Sequence, residues 1–244
     1  MTDGLLLLHA WPLDSRMWEP QRSALPSALS VAAPNHPGFG GSPPAGAVMT
    51  MQASEERALA EMDAAGIDRA VVCGISIGGY IAFEIWRRAR HRVLGLVLAN
   101  TRPGADPPEA AERRRELAAR LRQDGNVLAD QPPPLLAPDA PEALRDLVRG
   151  IIAEQSAEAI AAAALGMAER PDSTPNLVSI GVPTLVITSS EDQLIASEIS
   201  AEMARSIPSS RLEILEGVGH LTNLEAPEAF NDHLLRHLGA CGLV

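Results

Sequence analysis

The stretch that most restricts the fold is Ala70-Val71-Val72-Cys73-Gly74-Ile75-Ser76-Ile77-Gly78-Gly79-Tyr80. A short β-branched run passes within a few residues into the helical pattern of Phe83–His91, and a lone serine between glycines sits at the joint. Gly74-Ile75-Ser76-Ile77-Gly78 matches G-x-S-x-G, which serves nucleophilic chemistry when a strand precedes it and a helix follows. A serine on so tight a turn adopts strained backbone angles, and side chains two residues away on either side would collide. The helix starting there points its N-terminal N–H groups and dipole at any negative charge forming beside the serine. Glycine-rich strand-to-helix joints also bind phosphates or simply turn the chain, so the rest of the sequence has to decide.

The flanking pattern agrees with such a joint. Short apolar runs at Leu5–Leu8, Val31–Ala33, Ala70–Cys73, Leu94–Ala99, Thr184–Thr188 and Leu212–Leu215 alternate with helical patterns. The runs are mostly continuous rather than alternating, as in strands buried on both faces of a parallel sheet. Helices are expected at Met17–Leu25, Met51–Ala65, Ile77–Arg90, Ser197–Ile207 and Pro227–Leu238. This alternation predicts an α/β fold, a mostly parallel sheet with helices on both faces. Between Thr101 and Pro175 the rhythm breaks. Proline clusters there separate three helical segments, Ala110–Arg122, Pro141–Glu154 and Ala157–Arg170, with no strand among them. We therefore expect residues 1–100 and 176–244 to form the core and residues 101–175 a small helical cap inserted into it.

Composition narrows the partners. With 244 residues, 46% of them hydrophobic, the chain can bury a sizeable core. Its formal charge is −11 and it has no basic run, which argues against nucleic acid. The early apolar run Leu5–Leu8 is too short to span a bilayer and no basic segment precedes it, so neither a membrane span nor a signal peptide is expected. Two cysteines, Cys73 and Cys241, make no disulfide framework and fit a cytoplasmic location. The six histidines form no H-E-x-x-H or Cys/His cluster, so no metal is expected.

A serine hydroxyl needs a base, and the base an orienting group. His220, in GVGHLTNLEAP, follows a strand pattern and precedes a helix, with Gly217 and Gly219 allowing the loop to bend the imidazole inward. His91, His233 and His237 lie in charged helical patterns and read as solvated; His36 reads as part of a turn. The acid is expected in SSEDQLIA after the fifth strand: Asp192, with Glu191 as the runner-up. The bland role for Asp192 is to serve the N-terminus of the helix near Ser197. A second oxyanion donor is expected in the loop after the first strand, LLLLHAWPLDSRMW, as the backbone N–H of Trp11 beside that of Ile77. His9 is expected to prop this loop. The Trp11 ring is either a wall of the pocket or core packing.

Taken together, HAWP, PGFGGS, GISIGGY, LVLANT, PTLVITSSED and GVGHLTNLEAPEAF, in this order from Leu5 to Leu238, resemble the α/β-hydrolase superfamily. Within it the chain is most similar to small bacterial esterases and lactonases such as 3-oxoadipate enol-lactonases. The resemblance implies Ser76 as nucleophile, Asp192 as acid, His220 as base, and Trp11 and Ile77 as oxyanion donors, with no cofactor. Three departures stand out. Ala10 replaces a usual glycine, where a methyl group would restrict the loop. Asn35 replaces a common aspartate. The family's usual first two strands are not matched, so about six strands are expected, with an open edge that a partner subunit, such as a second copy of the chain, or a tail could cover.

The expected reaction is hydrolysis of a small carboxylic ester or lactone. The same residues could serve C–C hydrolysis, perhydrolysis or hydroxynitrile cleavage, and a non-catalytic member that binds a small molecule is the rival of another class. Leu121, Leu135, Leu136, Leu147, Ile151 and Met167 suggest an apolar pocket wall from the inserted helices. Arg102, Arg145 and Arg149 either meet a substrate carboxylate or stay solvated.

Overall fold

A computed structural model describes residues 2–244. Six strands form one sheet: β1 (Thr2–Leu8), β2 (Val31–Ala32), β3 (Ile67–Ile75), β4 (Val93–Ala99), β5 (Thr184–Ser189) and β6 (Ser210–Leu215). Their spatial order is β2-β1-β3-β4-β5-β6, and every pairing is parallel. The central strands are buried along nearly their whole length, which is why their sequences are continuous apolar runs. Only the two edges differ. β2 is two residues long, and β6 leaves Ile214 exposed on the other side.

Helices cover both faces. The core helices are α1 (Glu19–Ala24), α2 (Met51–Ala64) and α3 (Ile77–Ala89). α3 packs on β1, β3 and β4, and α2 packs on α3 and β3. The helices α4 (Pro108–Asp124), α5 (Glu142–Ala153) and α6 (Ala157–Ala168) all fall between β4 and β5. They are followed in the chain by α7 (Ser197–Ser206), α8 (Thr222–Glu225) and α9 (Pro227–Ala240). Local chemistry sets several starts. The Thr50 hydroxyl accepts from Ala53 N–H at the head of α2, and Ser156 does the same from Ala159 N–H for α6. The helix expected over Met17–Leu25 divides. A 3₁₀ turn at Ser15–Trp18, capped by the Asp14 carboxylate, precedes α1, and Pro20 falls in α1's first turn, where its missing N–H costs nothing.

The order of the strands decides where a site can form. From β1 the chain moves outward to β2, then crosses back to β3 on the other side of β1. The loops leaving the carboxyl ends of β1 and β3 therefore diverge and open a crevice between them, the usual ligand position in an open parallel sheet. The first loop carries Trp11 and the second carries Ser76.

The helices between β4 and β5 are tied to this rim. Met49 N–H donates to Ala162 O, Gln155 Nε2 to Asp14 Oδ2 at 2.8 Å, and Gly40 N–H to Gln155 Oε1. α4 and α6 pack together, and Arg122 of α4 pairs with Glu158 of α6.

Candidate active site

Ser76 is held where the sequence pattern places it, between β3 and α3. Its φ of 57° and ψ of −117° lie in a region that costs a non-glycine residue about 1–3 kcal/mol. Several contacts hold the strain in place. Ser76 N–H donates to Ala99 O at 3.0 Å, and Ser76 O accepts from Gly79 N–H and from the Thr101 hydroxyl. The glycines are required by space. A Cβ on Gly74 would strike the backbone of Gly78, and one on Gly78 would strike the carbonyl of Leu8. Gly78→Ala should accordingly lower unfolding free energy by about 1–3 kcal/mol, read from urea denaturation. An unchanged midpoint would mean that the joint has slack these contacts do not suggest.

Ile77 occupies the first position of α3, whose N–H has no partner within the helix. Across the crevice, the loop after β1 is fixed by two buried histidines. His9 donates from Nδ1 to Ala10 O at 3.0 Å and accepts at Nε2 from His36 N–H at 2.9 Å. His36 Nε2 donates in turn to His9 O, and the two rings stack at 3.7 Å. His9 thus spends both ring nitrogens on backbone and is a prop, while His36 opens the expected turn, its O accepting from Phe39 N–H, and is buried. Ala10 keeps an ordinary negative φ. Among the described non-glycine residues, only Ser76 and Asn100 have positive φ. The methyl group therefore imposes no backbone penalty on this loop. Asn35, the other departure, accepts from Ser15 N–H and donates to Gly40 O, bridging two loops.

Burial lowers the His9 pKa to about 4, the bond to Ala10 only partly opposing it, and burial likewise takes His237 to about 4. Unfolded, both would take up protons near 6.5. Between these values the unfolded chain binds more protons, so the stability these groups contribute is present above pH 6.5 and is lost as pH falls towards 4. The loss is on the order of 3 kcal/mol for each histidine. Urea midpoints should fall steadily between pH 7 and pH 4.5; a flat profile would contradict the buried neutral assignment.

His220 and Asp192 meet. The imidazole Nδ1 donates to Asp192 Oδ2 at 2.8 Å, with both side chains almost wholly buried. Asp192 Oδ2 also accepts from Asn100 Nδ2 at 3.0 Å, while Oδ1 accepts from the N–H groups of Leu194 and Ile195. Burial by itself would raise the Asp192 carboxyl, but the bonds from His220 and Asn100 outweigh it and hold the group below the usual carboxylate range. Glu191, the runner-up, is exposed. His220 Nε2 is buried and has no hydrogen-bond partner among the described residues. Ser76 and His220 line one cavity of about 130 Å³, together with Trp11, Tyr80, Met167 and Ile195. The Trp11 ring is thus a wall, anchored by its N–H to Ile160 O of α6.

Other expectations need correction. His237 is buried on α9 against the close approach of Gly95, not solvated. Leu147 is half exposed and lines neither this cavity nor the one beside Leu135 and Leu136. Arg145 is spent on the carbonyls of Ala137, Pro138 and Ala140, and Arg149 on Asp146, whereas Arg102 reaches the cavity wall. Two residues went unread. Asn100, at the carboxyl end of β4, links Asp192, Ser189 and Thr222. Glu225 accepts from Ala137 N–H and Gly219 N–H, tying the His220 loop to the proline-rich segment. The available signal for Asn100 was its place at the end of an apolar strand, in LVLANT.

Residues 5–233 match the model of the alpha/beta hydrolase family. The chain is 31% identical over 239 residues to a pimeloyl-[acyl-carrier protein] methyl ester esterase of Aromatoleum aromaticum, covering 92% of this chain and 93% of that one. It is 30% identical over 179 residues to 3-oxoadipate enol-lactonase 2 of Acinetobacter baylyi, covering 71% of this chain and 65% of the relative. Among solved structures it is similar to a malate-bound thermophilic esterase from Thermogutta terrifontis. That match has a TM-score of 0.93 at 36% identity and covers 99% of this chain and 92% of that one. The resemblance in the motifs, the all-parallel six-stranded sheet and these matches agree: the chain belongs to the alpha/beta hydrolase family.

Proposed function

We propose that the protein hydrolyses small carboxylic esters or lactones through an acyl-enzyme on Ser76. The observation that carries this is the coupling of His220 Nδ1 to a buried carboxylate while its unpaired Nε2 sits in the wall that Ser76 shares. An ionised Asp192 accepts at every contact, so the imidazole keeps its proton on Nδ1 and leaves Nε2 as a lone-pair acceptor. Two similar proteins, a methyl ester esterase and an enol-lactonase, are named for reactions of this class.

In the first half-reaction His220 Nε2 takes the proton from Ser76 as Oγ bonds to the carbonyl carbon. The carbonyl π pair moves to oxygen, and the backbone N–H groups of Trp11 and Ile77 stabilise that charge. Collapse breaks the acyl C–O bond, and His220 returns the proton to the departing alkoxide. In a lactone that alkoxide stays attached to the acyl chain. Water then gives a proton to His220 and attacks the acyl carbon, and collapse returns Ser76 Oγ, which regains its proton. Asp192 stays ionised throughout and stabilises the imidazolium. Residues 101–175 act as a cap over this site, contributing Met167 and Pro133 to the cavity. Among the described residues no hydrogen bond joins Ser76 to His220 Nε2, and in unliganded enzymes such a bond often forms only in the substrate complex.

The test is turnover of p-nitrophenyl acetate followed at 1:1 and excess substrate. Steady hydrolysis, abolished with the Ser76→Ala variant, supports the reading. Inertness towards this ester and towards a panel of short lactones would overturn it.

A further inference from the structure

A second carboxylate stands beside the loop of the base and takes no part in the hydrolysis steps. Glu225 ends α8, shortly after His220 in the chain. Its Oε2 accepts from Ala137 N–H at 2.8 Å and from Gly219 N–H at 3.1 Å. Its Oε1 is buried without a partner among the described residues, and a Cβ on Gly219 would come within 2.8 Å of it. Such a Cβ would also strike the backbone of Leu136 and Ala137. On the other side of His220, Leu221 N–H donates to Leu135 O at 3.1 Å. The imidazole therefore sits on a short loop pressed between Glu225 and residues 135–137, and Pro133 of that same segment lines the Ser76 cavity.

Hydrogen bonding does not explain why this residue is a carboxylate. Both donors fall on one oxygen, so a glutamine would satisfy them through its amide oxygen. A charge here costs desolvation. Burial pushes the Glu225 carboxyl above its ordinary value, and the N–H groups of Ala137, Gly219 and Leu221 only partly oppose it. The arginines nearby are engaged elsewhere. Arg145 ends on the carbonyls of Ala137, Pro138 and Ala140, and Arg102 and Arg114, in the cavity wall, end on Asp106. The charged side chain that most favours an ionised Glu225 is His220, which is itself bonded to Asp192. A full positive charge arises on that imidazole when Nε2 takes the serine proton.

We propose that Glu225 is a second acidic residue serving the base, its negative charge joining that of Asp192 in favouring the imidazolium formed during turnover. This rests on the hydrolase reading above and deepens it: His220 has two acidic neighbours, one bonded to Nδ1 and one acting across the loop. Glu225 is thus a positioning residue for charge, touching neither substrate nor serine. Its effect is greatest in the transition state, where the imidazole is cationic, so it belongs to kcat rather than to KM.

Glu225→Gln isolates the charge, because the amide oxygen keeps both N–H bonds. It should lower kcat for p-nitrophenyl acetate roughly tenfold with KM little changed. The acid limb of its kcat/KM profile should move to lower pH, since removing an anion disfavours the imidazolium. Glu225→Asp keeps the charge at the expense of acceptor geometry, and should lose less activity and leave the acid limb in place. A residue serving only the fold predicts the reverse, with glutamine equal to the parent. A parent-like kcat in the glutamine variant, or an unmoved acid limb, would overturn the proposal. So would a folded aspartate variant that loses tenfold or more, a result that needs no glutamine variant to fold. The two readings fail separately. A protein inert towards esters loses the hydrolysis and this inference with it; one that turns over through Ser76 and His220 but is indifferent to Glu225→Gln keeps the hydrolysis and loses the second acid.

Discussion

Ser76→Ala and His220→Ala are each expected to lower kcat for a short-chain ester by roughly 10⁴-fold or more, with the folded state retained. The reasoning is geometric. Ser76 is only partly exposed and its hydroxyl supports no hydrogen bond that holds the fold, so removing it leaves the joint between β3 and α3 intact. The strain at φ 57° belongs to the backbone and persists in alanine. His220 likewise leaves Nε2 unused in structure, its one side-chain bond going to Asp192. Because nucleophile and base act in a single step, the double variant should be scarcely slower than either single one. Stopped or steady-state assays on purified variants of matched unfolding midpoint measure this. Retention of most activity in either single variant would mean that another pair does the chemistry.

Asp192→Asn has the second large effect expected, about 10⁴-fold in kcat. All four contacts of the carboxylate are donors: His220 Nδ1, Asn100 Nδ2 and the N–H groups of Leu194 and Ile195. An amide cannot accept at both ends. If its NH₂ turns towards Leu194 and Ile195, two N–H groups lose their acceptor. If it turns towards His220, the imidazole must accept at Nδ1, which puts the proton on Nε2 and removes the base. The second arrangement predicts a protein that folds and binds but does not turn over. A pH–rate profile separates it from simple destabilisation, since activity should recover in part at high pH if the serine can be deprotonated without the imidazole. An asparagine variant with near-parent kcat would contradict a role for Asp192 in orienting His220.

The pattern of the chain carried the fold well because its signals were local. The four central strands were legible as continuous apolar runs, since a strand buried on both faces has no polar side to obscure, and the two edge strands as shorter runs. Boundaries shifted where tertiary pairing extended a strand beyond its apolar stretch, as when β3 begins at Ile67 and includes Asp68 and Arg69, the latter paired with Asp3 across from it. The turn that holds Ser76 was legible for the same reason: its sterics act between residues two positions apart. What was hidden depends on contacts far along the chain. Asn100 is joined to Asp192, 92 residues later, and Glu225 to Ala137, 88 residues earlier. His237 reads as a polar position in a helical pattern; only the missing side chain of Gly95 on β4 shows that it is buried. The consequence of Ala10 was unreadable too, because a glycine in a motif signals a possible positive φ without stating that this chain uses one.

The central claim is that the serine at the β3–α3 joint is activated by an imidazole from the far end of the chain. An alkyl fluorophosphonate reports on this directly, because it bonds to a serine only where a base accepts the proton and an oxyanion is stabilised. Intact-mass and peptide mapping should find a single adduct, on Ser76, formed quickly in the parent protein and scarcely at all in the His220→Ala variant. An adduct on another serine, or equal labelling of Ser76 with and without His220, would contradict the account.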